Sequence, residues 1–467
     1  LYNWVQFDDE NGRGGGVTKY LCNVLSRLYN DDNIQYYFLS SGQFYTFDKK
    51  LRIEETRNAF SPYVKSFRVI NSPVMSPACL AFDSIEQYLY DETLAELIYQ
   101  FCLTYGHFDV IHFHNLEGLS LSTLKLKEKL PQTKFIYTIH NYYFACPQVN
   151  LWSGTEQNCY QNCEFPHCAG CRPRSSAKAD QLISSLKRLL GLNDGIRDTW
   201  WYRYLTCAGS IFRKALSSRT ESTEQEIQYI EFRQNNCVCI NKYFDLVFAV
   251  SKRTAEIATA LGLDQKLVHV QYIGTVAAEN QIMRQYSHKD QLTIGYLGYA
   301  RKDKGFNALI DLIRKLCEVP EARKIRFIIA AKSETEEDYN NYYAELDELS
   351  KYFASIDYSN GYSKNEQMSL LQSIDCGIVP VCWEDNLPQV AIELIAAGVP
   401  ILVSEFGGTK ELLTDSWYVF SDIDDCCRKI ITLANKPELL SSFFTKIPEL
   451  KRLDTHVDEL RSFYKSI

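Results

Sequence analysis

The chain has 467 residues, of which 46% are hydrophobic and 23% are charged, and its formal net charge at pH 7 is −8. A chain of this length and composition can bury more than one hydrophobic core, so we expect two domains. The acidic balance argues against general nucleic-acid binding, and no run of eighteen apolar residues is present that would cross a membrane as a helix. Because no secretory signal is recognisable and the sixteen cysteines suit a reducing compartment, we expect a cytoplasmic protein.

The first stretch of the chain predicts a strand, a turn and a helix. Residues 2–7 favour a strand, and from Thr18 onward apolar residues recur at helical spacing. Gly15 and Gly16 fall at the turn between them. Glycine at such a turn lets a phosphate or a sugar approach the backbone and the helix N-terminus, although a tight turn that needs a positive φ is an equally good explanation.

Strands and helices then alternate, which predicts a doubly wound first domain. The predicted strands are 36–40, 66–71, 109–114 and 134–139, with helices at 91–105 and from residue 120. His112 and His114 end one strand, and His140 follows another. Ligand sites form at such strand ends, whereas a lone histidine is more often a packed or capping residue.

A cysteine-rich loop, residues 146–171, comes next. It contains Cys159, Cys163, Cys168 and Cys171, separated by three, four and two residues. Four thiolates at these spacings can converge on one tetrahedral ion, and zinc suits soft ligands in a reducing compartment. A redox or disulfide cluster and simple packing are the alternatives. A bound zinc ion would be structural, because it would hold this loop beside His140.

Residues 172–219 form a basic segment, with ten Lys or Arg residues against three Asp residues and hence a surplus of seven positive charges. A leucine stripe runs beside two basic residues and is followed by aromatic ones. These residues are Leu182, Leu186, Leu189 and Leu190, Lys187 and Arg188, and Trp200, Trp201, Tyr202 and Tyr204. Such a segment is typical of binding to an anionic membrane surface. The alternative is a helical insertion, residues 172–240, packed on the first domain with a solvated basic face.

The second domain is predicted to begin near residue 276 with a polar linker, residues 277–291, that precedes its first strand. Its first strand ends at Gly298 and leads into a basic loop that contains Arg301 and Lys304. Basic side chains between a strand and a helix are well placed to bind a diphosphate, and a solvated charge run is the alternative.

The stretch 374–413 predicts two parallel strands joined by one helix. The acidic loop before the helix lies at the carboxyl end of a strand, where ligands bind in open α/β sheets. Asp385 lies in this loop and Glu393 in the helix, and both carboxylates can accept hydrogen bonds from sugar or ribose hydroxyls. Alternatively, Asp385 or Asn386 caps the helix and Glu393 is a solvated residue.

These motifs together resemble the donor site of family-4 retaining glycosyltransferases, which are two-domain enzymes that use nucleotide sugars. The resemblance is carried by the run Trp383-Glu384-Asp385-Asn386-Leu387-Pro388-Gln389, by Glu393, by Gly398-Val399-Pro400 and by Gly407-Gly408. The family usually has two glutamates with seven residues between them, and Asp385 fills the first position here, as in members with an Asp-Asn-Leu-Pro variant. A second family pattern, Gly-Arg followed by Lys-Gly, is matched by Gly298 and Lys304-Gly305, but Tyr299 stands at the arginine position.

The resemblance implies an α/β protein with the GT-B architecture, in which two doubly wound Rossmann-like domains face each other across a cleft. The acceptor-side domain would span residues 1–275 and include the cysteine-rich loop and the basic helical insertion. A nucleotide-sugar-binding domain would span 276–430, and C-terminal helices over 431–467 would cross back to the first domain.

The resemblance also implies roles for single residues. Asp385 and the amides after it would meet the sugar and phosphate, Glu393 the ribose, and His140 the donor sugar near its reacting carbon. Lys304 would stabilise the departing diphosphate, and Arg301 would supply the charge that Tyr299 lacks. The catalytic residues are thus predicted to be His140, Lys304 and Asp385, and the donor-binding residues Gly15, Gly16, Gly298, Arg301, Lys304, Asp385, Asn386, Leu387 and Glu393.

We therefore expect a retaining transfer of a sugar from a nucleotide diphosphate sugar to an acceptor hydroxyl, in bacterial-type surface polysaccharide or glycolipid assembly. We expect catalysis without a cofactor or metal, because Lys304 and helix N-termini supply positive charge, and at most a structural zinc. The acceptor is expected to be a saccharide or a lipid-linked saccharide. Residues 172–219 are expected to bind an anionic membrane surface, at the inner face of the membrane. A nucleic-acid partner is not expected. The alternatives are a sugar-nucleotide epimerase of the same architecture, a non-catalytic sugar-nucleotide-binding subunit and a zinc-dependent interaction module.

Overall fold

The computed structural model describes residues 1–9, 14–29, 33–77, 85–153, 157–159, 168–171, 177–190, 223–286, 290–444 and 449–466. The chain divides into two compact units. Unit 1 comprises Leu1–Val250, Thr254–Tyr272 and Val457–Ile467, and unit 2 comprises Ser251–Arg253 and Ile273–His456. The last helix of the chain begins in unit 2 and ends in unit 1.

Unit 1 contains two small sheets and the helices that cover them. Its strands are β1 (Tyr36–Phe44), β2 (Arg52–Thr56), β3 (Val64–Ile70), β4 (Val110–Phe113), β5 (Lys134–Ile139), β6 (Leu246–Ala249) and β7 (Val268–Val270). Its helices are α1 (Gly15–Leu28), α2 (Ile85–Tyr90), α3 (Thr93–Thr104), α4 (Leu121–Leu124), α5 (Ala177–Leu189), α6 (Thr223–Tyr243) and α7 (Lys252–Ala260), the first two residues of α7 clustering with unit 2.

The sheets of unit 1 are mainly parallel. Strands β4 to β7 pair in chain order, all parallel, and β5 and β6 are almost wholly buried because helices cover both faces of a parallel sheet. The other sheet has the order β1-β3-β2, in which only β2 is antiparallel. Tyr2 forms parallel bridges to Leu39 of β1 and to Phe113 of β4, and so joins the two sheets.

One sequence prediction for unit 1 is wrong, and one strand was missed. The strand predicted over residues 2–7 is reduced to the bridge at Tyr2, because the Asn3 side chain donates to the carbonyl of Val5 and favours a local turn over a ladder. Strand β2 was not predicted at all. Glu54 in β2 forms ion pairs with Arg52, Arg68 and Arg188. Because this edge strand is held by charge pairs, it lacks the alternation of apolar residues from which a strand is predicted.

The predicted helical insertion is described only in part. Helices α5 and α6 lie within it, whereas residues 191–222, with most of the aromatic and basic residues noted above, lie outside the described residues. Across the ranges given above, none of the helices combines the length and the apolar character needed to cross a membrane.

Unit 2 contains one six-stranded sheet. Its strands are β8 (Leu292–Tyr299), β9 (Ile325–Lys332), β10 (Ser355–Ser359), β11 (Cys376–Val379), β12 (Ile401–Ser404) and β13 (Val419–Phe420). Its helices are α8 (Phe306–Leu316), α9 (Glu336–Ser350), α10 (Lys364–Ser373), α11 (Gln389–Ala396), α12 (Ile423–Asn435), α13 (Leu439–Phe443) and the first part of α14 (Leu453–Ser466), with 3-10 turns at Ala277–Asn280, Pro320–Lys324, Thr409–Leu412 and Ser416–Tyr418.

The strand order of this sheet identifies a Rossmann-like unit. All six strands are parallel in the order β10-β9-β8-β11-β12-β13. The chain therefore winds outward from β8 in one direction and from β11 in the other, and the direction reverses between these two strands. In such sheets ligands bind beyond the carboxyl ends of the strands at the reversal.

Side-chain caps fix several helix starts in unit 2. Ser363 and Glu366 form a capping box at α10. Asp422 caps α12 by accepting a hydrogen bond from the N–H of Asp425, and Asp424 pairs with Lys315. Asp422 thus helps to start α12, and Asp424 is held by a lysine of α8.

The turn at Gly305 yields a stability prediction. Gly305 has a φ of 78°, and a Cβ there would lie 1.7 Å from the carbonyl oxygen of Pro380. We expect Gly305→Ala to lower the free energy of unfolding by roughly 3 kcal/mol or more, because the loop after β11 must move. Gly361→Ala is the control, since Gly361 has a similar φ of 83° and its nearest neighbour would be 3.4 Å away. Equal melting temperatures for the two variants would contradict this account of the turn.

Candidate functional site

An ion pair lies where the strand order of unit 2 reverses. Lys304 follows β8 and Asp385 follows β11, and because these strands are neighbours their carboxyl ends bring the two side chains together. Lys304 Nζ lies 2.5 Å from Asp385 Oδ2 and 5.0 Å from the centroid of the Trp383 ring. The Asp385 side chain is 9% exposed and that of Lys304 is 29% exposed, so the lysine is the member of the pair that a ligand can reach.

The loop that carries Asp385 is held by hydrogen bonds to the loop of Lys304 and to β12. The N–H of Cys382 donates to the carbonyl of Asp303 over 3.1 Å, and Ser404 at the end of β12 donates to the carbonyl of Val381 over 2.6 Å. Lys304 and Asp385 are therefore presented by backbone that is anchored on both sides.

The glycine pair Gly407-Gly408 packs directly against the acidic loop. The N–H of Gly408 donates to the carbonyl of Asp385 over 2.9 Å. A Cβ on Gly407 would lie 2.2 Å from the Asp385 carbonyl oxygen, and one on Gly408 would lie 2.3 Å from that of Asn386. Any larger residue at either position would displace the loop that carries Asp385.

Two buried polar side chains beside this contact have no hydrogen-bond partner among the described residues. They are Asn386, with both its amide nitrogen and its amide oxygen, and Thr409, with its hydroxyl. Asn386 is 3% exposed and Thr409 is fully buried. An unsatisfied buried polar atom costs about 1–3 kcal/mol, so these atoms are candidate contacts for a polar ligand.

Glu384, for which we predicted no role, holds the acidic loop in place. Its carboxylate is 2% exposed and accepts hydrogen bonds from the Arg253 guanidinium at 2.7 and 2.9 Å and from the N–H of Gly407 at 2.9 Å. Glu411 accepts the backbone N–H groups of Lys252 and Arg253, where α7 begins and donors are otherwise unpaired. Arg253 is 131 residues from Glu384, and no local sequence signal marks their contact.

Glu393 belongs to a second group of side chains in unit 2. Its carboxylate accepts a hydrogen bond from Gln367 over 2.6 Å. Burial raises the pKa of Tyr362 to about 12, and the nearby charge of Glu393 and the phenol of Tyr299 add to that increase. Tyr299 is 44% exposed, so this polar and aromatic group is open to a ligand.

Three other predicted donor-binding residues of unit 2, Arg301, Gly298 and Leu387, differ in their contacts and burial. Arg301 forms a two-point ion pair with Asp303 at 2.9 and 2.7 Å, so its charge is partly neutralised within its own loop. Gly298 has a φ of 148°, and nothing lies within 4 Å of the place where a Cβ would be. Leu387 is buried, at 7% exposure.

In unit 1, His140 lies at the edge of a stack of histidines. The His112 and His114 rings have centroids 4.0 Å apart, and His114 Nδ1 lies 3.4 Å from His140 Nε2. Burial lowers the pKa of His140 to about 3, so the ring is neutral at pH 7. The His112 ring is held by hydrogen bonds of 2.7 Å to Thr138 and to Tyr464 on α14.

Gly15 and Gly16 form the first turn of α1, which begins earlier than the sequence predicted. Both are exposed, and nothing lies within 4 Å of a Cβ built on Gly15. Gly14 precedes them with a φ of 74°. The N-terminus of α1 is therefore accessible at its backbone.

The structure describes three of the four predicted zinc ligands, and Cys163 lies outside the described residues. Burial raises the pKa values of the Cys159 and Cys168 thiols to about 12, neighbouring cysteines add to this, and the Arg233 guanidinium on α6 opposes it. Within the ranges described, no three His, Cys, Asp or Glu side chains are placed to hold a metal ion.

A cavity of about 740 Å³ in unit 1 lies away from all the predicted site residues. Its lining is mostly aromatic and aliphatic and includes Tyr2, Leu39 and Phe113. It therefore lies where the bridges of Tyr2 join the two sheets of unit 1.

Comparisons with known proteins support a transferase. The family described as "Glycosyl transferases group 1" matches residues 278–446, which lie in unit 2 and include every predicted donor-site residue of that unit. This match supports a glycosyltransferase. An uncharacterized 42.6 kDa protein in the cps region of Klebsiella pneumoniae is 24% identical over 324 residues, and the alignment spans 68% of this chain and 63% of that relative's length.

Solved structures confirm the predicted fold class. HepE of Anabaena, in complex with UDP and glucose, has 12% identity and a TM-score of 0.55 over 98% of both chains. Sucrose-phosphate synthase of Thermosynechococcus elongatus has 12% identity and a TM-score of 0.59 over 97% of this chain and 93% of its own. The UDP-forming α,α-trehalose-phosphate synthase of Burkholderia xenovorans, in complex with glucose-6-phosphate, has 12% identity and a TM-score of 0.56 over 99% of both. The chain thus has the GT-B fold, with two Rossmann-like α/β domains.

Proposed function

We propose that this protein is a retaining glycosyltransferase that moves a sugar from a nucleotide diphosphate sugar to an acceptor hydroxyl. The observation that carries the proposal is the partly exposed Lys304, paired with buried Asp385 at the reversal of strand order. A cation at that place can stabilise the negative diphosphate as it leaves, without a catalytic metal ion.

The sugar and phosphate ends of the donor are proposed to bind beside this pair. Lys304 would exchange part of its contact with Asp385 for the diphosphate, and Asp385 would then accept hydrogen bonds from sugar hydroxyls. Asn386 and Thr409 would satisfy their buried polar atoms on the same ligand. The anchored backbone of both loops keeps these groups oriented before the donor arrives, which lowers the cost of reaching the transition state.

The nucleoside end is proposed to bind at the second group. Glu393 would accept ribose hydroxyl hydrogen bonds, with Gln367 holding its carboxylate in place. Tyr299 and Tyr362 offer aromatic surface next to it. The Anabaena neighbour is described with UDP, so uridine nucleotides are the first to test.

His140 is proposed to contribute to transfer as a neutral hydrogen-bonding group, since its lowered pKa prevents it from acting as a cation at pH 7. No protein nucleophile is assigned. In the resembling family an oxygen of the donor's own phosphate serves as the base for attack on the same face, and that course is proposed here.

The acceptor is proposed to be a saccharide or lipid-linked saccharide in bacterial-type surface polysaccharide or glycolipid assembly, on the ground of the relative in a cps region. Tyr299, at the family's arginine position, favours one other function, a non-catalytic subunit that binds a sugar nucleotide. Nucleotide release from a panel of nucleotide sugars, with analysis of the product linkage, separates the two. Binding without any release or transfer would favour the subunit.

Removal of the Lys304 charge should chiefly affect turnover. We expect Lys304→Ala to lower kcat by about a hundredfold or more, because the leaving diphosphate loses its cation. Lys351→Ala is the matched control, since Lys351 lies over Tyr352, on a helix end outside the loops of the site. Steady-state kinetics with the donor found in the panel provides the test, with circular dichroism to verify folding. A folded Lys304 variant of wild-type activity would refute the leaving-group role.

Removal of the Glu393 carboxylate should chiefly weaken nucleotide binding. We expect Glu393→Ala to raise the Kd for the nucleoside diphosphate about tenfold, because a charge-assisted hydrogen bond is worth about 1.5–3 kcal/mol. Gln367→Ala should give a smaller increase of the same kind. Isothermal titration calorimetry measures both, with exposed Glu348→Ala as control, and an unchanged Kd in the Glu393 variant would remove the ribose assignment.

We also propose a structural zinc ion on Cys159, Cys163, Cys168 and Cys171, motivated by their spacing. Elemental analysis of the purified protein should find about one zinc per chain. The double substitution Cys168→Ser and Cys171→Ser should remove it and lower the melting temperature. The same change at Cys22 and Cys317, half-buried cysteines elsewhere, should leave the zinc in place. If protein purified under reducing conditions contains no zinc, this site is ruled out.

A further inference from the structure

The polar side of helix α5 packs against strands β1 and β2 of unit 1. The Ser184 hydroxyl donates to the carbonyl of Gln43 in β1 over 3.0 Å and accepts the N–H of Tyr45 over 3.4 Å. Next to it, Ser185 is 6% exposed. One turn further, Arg188 forms an ion pair of 2.6 Å with Glu54 of β2. Hydroxyls and a guanidinium therefore fill the side of α5 that faces the sheet.

The opposite side of α5 is apolar and exposed. Leu182, Leu189 and the following Leu190 are 39%, 70% and 57% exposed. They lie on one stripe, because residues seven and eight positions apart share a face of an α-helix. A surface helix normally turns such a stripe toward the core, so α5 has the reverse orientation. Exposed leucines in a row indicate a binding surface.

The loop that meets α5 at Ser184 adds an aromatic residue and basic residues. Residues 45–50 follow β1, and within them Phe47 is 50% exposed and Asp48, Lys49 and Lys50 are exposed, with Asp48 paired to Arg52. The sequence around α5 has the same charge: residues 172–190 contain five Lys or Arg residues and one Asp, and with Arg188 paired to Glu54 an excess of three positive charges remains. Apolar side chains with a basic border match a bilayer that carries anionic headgroups.

We propose that the outer face of α5 and the loop 45–50, together called the leucine face, bind an anionic lipid bilayer. Leu182, Leu189, Leu190 and Phe47 would enter the interface, and Lys49 and Lys50 would contact lipid phosphates. The charge surplus favours lipid over a second copy of the chain, because two like-charged faces repel each other. This inference does not depend on the transferase reaction, since no residue of the leucine face belongs to the donor site.

Co-sedimentation with vesicles of phosphatidylcholine, with and without phosphatidylglycerol, tests the proposal on the full chain. We expect binding that requires phosphatidylglycerol and falls as salt is added. Leu189→Ser with Leu190→Ser should weaken it about tenfold, since two leucines lose their burial in the interface. Lys49→Gln with Lys50→Gln should weaken it by a similar factor. Leu103→Ser with Met283→Ser, which removes two exposed apolar residues elsewhere, should leave it unchanged.

Depth of insertion gives an independent measurement. The variant Phe47→Trp places a tryptophan in the leucine face. Brominated phosphatidylcholine in mixed vesicles should quench the fluorescence of this variant more strongly than that of the wild-type protein. Wild-type affinity in the leucine variant, or equal binding to vesicles without phosphatidylglycerol, would overturn the proposal. So would a leucine-dependent dimer in sedimentation velocity without lipid, because the leucine face would then be an interface between copies. Circular dichroism and melting temperatures establish that each variant is folded.

Discussion

The contact between Lys304 and Asp385 depends on one topological constraint, the reversal of strand order between β8 and β11. The two residues are 81 positions apart, and only a sheet in which these strands are neighbours brings their loops together. A buried carboxylate is costly without a partner, and Lys304 supplies one from a position that stays open to solvent. The same pair thus stabilises the resting protein and keeps a cation available for an anionic ligand.

The acidic residues around this contact have different tasks. Asp385 faces the lysine, whereas Glu384 and Glu411 bind Arg253 and the backbone at the start of α7. Buried charge in the motif therefore includes one carboxylate that is proposed to bind the donor and one that holds the loop in place. Asn386 and Thr409 differ from these acids, because they are buried as deeply as Glu384 but have no hydrogen-bond partner among the described residues.

Sequence patterns predicted the elements whose signals are local. Strand β5 has the predicted bounds, residues 134–139, and the stretch 374–413 contains the two predicted parallel strands, β11 and β12, joined by helix α11. Lys304 and Asp385 were also identified, but not their contact, which depends on strand order. The pairing of Arg253 with Glu384 and the edge strand β2 could not be predicted, because each is held by charge pairs between residues far apart in sequence.

The hydrogen bond between Tyr464 and His112 spans 352 positions and links the final turn of α14 to the buried histidines of unit 1. Helix α14 thereby supports the histidine stack from outside the sheet, and the stack reaches His140 through His114. A substitution that loosens the last turn of this helix would therefore disturb a ring that lies far from it in sequence.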